Sequence, residues 1–67
     1  MNREALREEL DKRKMTVDEL SDLAGIDRST IYRVINGTSN CTVETATRIV
    51  AALRLKPAVA MSIFFDE

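Results

Sequence analysis

Four side chains between positions 28 and 33 carry the chemistry that most narrows what this chain can do. Arg28, Ser29, Tyr32 and Arg33 bring two guanidiniums, a hydroxyl and a phenol. At about 100° per residue they share one side of a helix, and Ile31, Val34 and Ile35 fall on the other. The apolar side suits a core. The polar side suits the edges of bases and the oxygens of phosphates, because a guanidinium forks onto two acceptors and a hydroxyl can donate or accept. Nothing else in the sequence offers comparable chemistry. There is no histidine, the usual general base, and the acidic residues fall at helix caps or on solvated faces. No catalytic residue is expected. Cys41 is the only cysteine, so no intrachain disulfide can form. No ligand spacing suggests a metal, no cofactor is implied, and Cys41 reads as a small, partly buried loop residue.

The helix carrying that polar face must be started, stopped and held. Asp27 can cap its start, and Gly37 can end it after about Asn36. Upstream, Thr16-Val17-Asp18-Glu19 has the form of a capping box. It opens a helix through Ala24, with Val17, Leu20 and Ala24 facing inward and Leu23 beside them. Gly25 follows where a left-handed residue ends a helix, and Ile26 plugs the corner. Two short helices hinged at a glycine, the second with a polar outer face, have the shape of a helix-turn-helix.

The flanking elements follow the same logic. Residues 2–13 read as a first helix with Ala5, Leu6 and Leu10 as its stripe. Glu8 with Lys12 and Glu9 with Arg13 make favourable pairs. Lys12, Arg13 and Lys14 complement the helix dipole. Thr42 can cap a fourth helix to about Leu53, with Val43, Ala46, Ile49, Val50 and Leu53 inward and Leu55 continuing the core. Pro57 suits the first position of a fifth helix. The apolar residues after it do not settle their period. A helix through about Ser62 is the reading preferred, and a strand stays open. The expected core is Leu6, Leu20, Ile26, Ile31, Val34, Ile35, Ile49, Val50 and Leu53.

The 67 residues make one domain, 1–67, too small to stand far from the stability limit alone. The longest apolar runs are far short of a membrane span, and the charged N-terminus is no secretory signal, so a cytoplasmic location is expected. The net charge of −1 hides an uneven distribution. Residues 1–27 total −3, residues 28–56 total +4, and residues 57–67 total −2. The positive segment begins at the polar helix face, which leaves a local footprint for a polyanion.

The stretches TVDELSDLAGI, DRSTIYRVINGTSN and TVETATRIVAAL together resemble the Cro/XRE type of helix-turn-helix protein. The likeness runs over about residues 3–65. Two features depart from that pattern. Arg28 stands where the family often has glutamine, and LRLKPAV lacks the glycine common near the end of the fourth helix. The resemblance implies an all-α, five-helix, lambda-repressor-like domain with its helix-turn-helix at helices 2 and 3. It implies a non-enzymatic transcriptional regulator that binds double-stranded operator DNA sequence-specifically as a homodimer. Carried over by position, Arg28, Ser29 and Arg33 would face bases. Tyr32 would meet a thymine methyl or a phosphate. Thr16 and Val17, with the free amides opening the second helix, would meet phosphate, and Asn36, Thr38, Asn40 and Thr42 would clamp it from the loop. Small phage regulators and antitoxins of addiction modules are the nearest in pattern. A phage-like repressor on a palindromic operator ranks above an antitoxin that also holds a protein toxin, since little surface is left beyond the DNA-binding core. The expected dimer surface is Val59, Met61, Ile63, Phe64 and Phe65, more apolar side chains than a short end segment can bury, with Asp66 and Glu67 at its rim. Folding Phe64 back into the core is the alternative.

Overall fold

The computed structural model describes residues 1–38 and 41–65. The chain forms α1 (Arg3–Lys12), α2 (Val17–Ala24), α3 (Arg28–Asn36), α4 (Val43–Leu53) and α5 (Pro57–Phe64), with no strand among the described residues. It is a five-helix, lambda-repressor-like architecture. α2 packs on α3 and α4, and α1 packs on α3 and α5. Each helix starts where a side chain can satisfy an orphan amide, except α5. Asn2 accepts from the Ala5 amide at 3.0 Å, so it caps α1 and does not belong to it. Thr16 and Glu19 close the capping box of α2, and Thr42 caps α4 through the Thr45 amide at 3.1 Å. α5 has no such cap and starts on Pro57, whose missing N–H needs none. The stretch left open between helix and strand is helical through Phe64.

α2 and α3 end on glycines in left-handed backbone, at φ 68° for Gly25 and 78° for Gly37. α4 ends in the same conformation without a glycine: Arg54 takes it at φ 52°. Where the resembled pattern commonly has glycine, an arginine takes the left-handed turn. Lys14, just past α1, is left-handed too.

One apolar cluster holds the helices together. Leu6, Leu20, Ile31 and Ile49 are fully buried at its centre, with Val34, Ile35, Leu53, Leu55 and Ile63 around them. Ile26 and Val50, expected inside, are partly buried against it. Val43, also expected to face inward, is 76% exposed, and Leu23, expected beside the inward stripe of α2, is 61% exposed. Each lies about a quarter-turn from the centre of its helix's stripe, and Val43 sits at the outer end of α4. The Glu8–Lys12 pair does not form. Lys12 instead joins Arg13 on Glu9, at 3.1 and 2.7 Å. Arg13 also donates from Nε to the Leu53 carbonyl at 3.1 Å, which ties the end of α1 to the end of α4.

Ile63 corrects the expected dimer surface. It is 1% exposed, because helical spacing turns it from the outer side of α5 onto α1 and the core. Ile31→Ala should cost about 2–5 kcal/mol, since the site is closed on all sides. A melt followed by circular dichroism should fall by roughly 10 °C or more; an unchanged melt contradicts the burial.

Candidate nucleic-acid interface

The outer face of α3 is held from both ends and from beneath. Beneath it, Ile31, Val34 and Ile35 anchor the helix in the core. At its start, Asp27 accepts from the Ser29 amide at 3.1 Å and from the Ser29 hydroxyl. Those hydrogen bonds, the hydroxyl's first, hold the Asp27 carboxyl below its ordinary pKa. At its end, the Thr38 amide and hydroxyl both donate to the Arg33 carbonyl. Two cations from α1 close on the same end. Arg7 donates to the Ile35 carbonyl at 3.4 Å, and the Arg3 guanidinium covers Gly37, where an added Cβ would lie 2.7 Å from Nε. The sequence pattern held no signal for these two, because 28 and 34 positions separate them from what they touch.

The corner between α2 and α3 sets the angle at which this face is presented. The Ser21 carbonyl accepts from the amides of both Gly25 and Ile26, while the Ser21 hydroxyl donates to the Ile26 carbonyl. Arg48 of α4 reaches under the corner to the Ala24 carbonyl at 3.4 Å and to Glu44 at 3.3 Å. This member of the positive segment thus braces α2 and is not a free charge.

The side chains on the outer face differ in how they are occupied. Arg28, Ser29, Tyr32 and Arg33 are all exposed on the same side of α3. Arg28 Nη1 donates to Asp18 Oδ1 at 3.0 Å, and that carboxylate raises the guanidinium's pKa. The Ser29 hydroxyl is engaged by Asp27. The Arg33 side chain is exposed and makes no hydrogen bond or ion pair among the described residues, and Tyr32 is 48% exposed.

The residues expected to meet phosphate lie at helix ends and in the segment after α3. Thr16 is exposed, with its amide donating to Glu19 Oε1 and its hydroxyl accepting from the Glu19 amide. Val17 contributes the first amide of α2, and its side chain is partly buried. Asn36 and Thr38 are exposed beside Gly37, and Thr42 is exposed with its hydroxyl on Thr45. Asn40 lies outside the described residues, as do Asp66 and Glu67. Cys41 keeps a free thiol whose pKa burial pushes up, so it stays protonated. Among the described residues no cluster fit for a metal forms, and no helix is long and apolar enough to cross a membrane.

This arrangement suits DNA. A short helix shows two guanidiniums and a phenol, and capped helix ends flank it with amides and hydroxyls. A family model described as Helix-turn-helix matches residues 6–59. No curated protein and no solved structure matches the chain.

The lowered pKa of Asp27 gives a prediction in acid. A carboxyl lowered in the fold stabilises it fully above the unfolded value, and that share is lost as pH falls through the folded value. Between about pH 5 and pH 2 the start of α3 should therefore weaken. Asp27→Asn keeps a capping oxygen without the charge. Its melting temperature should fall less steeply than the parent's over that range; parallel curves would show that Asp27 contributes no such linkage.

Proposed function

This chain belongs to the Cro/XRE-type helix-turn-helix family of DNA-binding transcriptional regulators, and we propose that within it the protein is a small repressor acting as a homodimer on a near-palindromic operator. The observation that carries this reading is the outer face of α3. Arg28, Tyr32 and Arg33 project from a helix whose other side is locked in the core. Such a helix enters a major groove by its N-terminal end, which puts Arg28 first. A guanidinium there can fork onto guanine O6 and N7. Arg33, about a turn further on, reads a second base or holds a phosphate. Asn36, Thr38 and Thr42 flank the helix and meet the backbone, which positions the protein without reading sequence.

Single base-pair variants of an operator selected from random DNA test these roles. Arg28→Ala should lose discrimination at one base pair per half-site, by about fivefold or more, while Asn36→Ala should weaken all variants alike. Uniform weakening by Arg28→Ala would make it a phosphate contact.

A dimer is proposed because one recognition helix covers only a few base pairs. Two copies about a twofold axis double the contacts and place half-sites about 34–36 Å apart. With Ile63 in the core, the surface available on α5 is Met61 and Phe65, 62% and 65% exposed, with Val59 and Phe64 half-buried beside them. Val43, 76% exposed, lies with Phe64 and Phe65 along a groove of about 290 Å³ and extends that surface. Phe65→Glu should give a folded monomer with strongly weakened operator binding. Sedimentation at micromolar concentration, with circular dichroism for folding, measures it. A parent protein that is already monomeric and still binds a palindrome tightly rules out this dimer.

A further inference from the structure

The guanidinium of Arg28 is held before any DNA arrives. Its Nη1 donates to Asp18 Oδ1 at 3.0 Å across the α2–α3 corner, between residues ten positions apart. Asp18 lies in the first turn of α2, where the helix dipole favours an anion. Its neighbour Glu19 is used by the capping box, and across the corner Asp27 is used to cap α3. The Asp18 carboxylate bonds to Arg28. The two side chains are 65% and 63% exposed, so their pairing adds little to folding stability. What it does set is the direction of the guanidinium. Asp18, Asp22 and Asp27 line the shallow depression beside Arg28, so the arginine also stands among negative charges.

We propose that Asp18 is a specificity-determining positioning residue, acting through Arg28. This rests on the reading of Arg28 as a base contact. A long, unrestrained arginine can settle on any nearby phosphate, an attraction that is independent of sequence. Asp18 acts against that in two ways. Its carboxylate accepts one hydrogen bond from Nη1 and leaves Nε and Nη2 as donors for a purine edge. Its charge repels phosphate oxygens, so a docking with only phosphate to offer is disfavoured. A base that supplies two acceptors to the held fork compensates. Removing the charge should therefore strengthen binding to arbitrary DNA and blunt the choice among bases.

The test uses the full chain as the parent and as Asp18→Asn, Arg28→Ala and the double variant, at one fixed salt concentration. Each is measured on the selected operator, on its single base-pair variants and on a random-sequence duplex, with melts to confirm folding. Asp18→Asn should bind the random duplex about two- to tenfold more tightly, as expected for one fewer like charge at a polyanion. Its preference at the base pair assigned to Arg28 should drop by about fivefold or more, with other positions unchanged. The double variant should match Arg28→Ala at that base pair. An unchanged preference in Asp18→Asn overturns the proposal, while the Arg28→Ala arm still reports on the base contact itself. A loss from Asp18→Asn that persists in the Arg28→Ala background also overturns it, because Asp18 would then read DNA directly. Equal weakening of every duplex by Arg28→Ala overturns the base contact, and the positioning role with it.

Discussion

The left-handed turn at Gly25 is the constraint on which the rest of the structure depends. Its φ of 68° is costly for a residue with a side chain, and an added Cβ would also lie 3.1 Å from Arg48 Nη1. Two successive amides converge there on the Ser21 carbonyl, so α2 must stop and α3 must leave at a set angle. That angle puts Ile31 beneath the helix and Arg28 above it, within reach of Asp18. A change in the turn would move the core residue and the exposed arginine together.

Cations meeting helix C-termini are the second organising device. Arg13 bonds to the Leu53 carbonyl, Arg48 to Ala24 and Arg7 to Ile35, while Arg3 covers Gly37. Each complements orphan carbonyls and a negative dipole end. The chain has ten lysines and arginines, and these four serve the fold. The positive footprint toward DNA is therefore smaller than the sequence total suggests. In the proposed reading, recognition then leans on a few well-placed base contacts more than on bulk attraction to phosphate.

What could be read in the sequence was local. The capping box of α2, the Asp27 and Thr42 caps and both glycine stops depend on residues within a few positions, and each formed as expected. The core stripe of α3 was legible for the same reason. Val43 was misplaced because a short helix has few residues to define its inner face, and a position a quarter-turn away looks nearly equivalent. Ile63 was misplaced because α5 is apolar on almost every side, so periodicity cannot say which side is covered. The brace from Arg48 and the Asp18–Arg28 pair were invisible because they depend on the crossing of separate helices, which no local pattern encodes. The outer face of α3 was legible as a set of side chains, whereas how each is occupied was not.

The Asn2 amide donates to the Ile63 carbonyl at 2.7 Å, joining positions 61 residues apart. A contact closing so long a loop carries a large entropy of closure, whereas the bonds at the α2–α3 corner span only a few residues. Contacts of the longer span slow folding, because the closure entropy must be lost before the contact is gained. The α2–α3 corner is closed by bonds between near neighbours in sequence, whereas α5 is tied to α1 across most of the chain. If α5 carries the partner surface, pairing would also hold this long-range closure shut, and resistance to unfolding would rise with protein concentration.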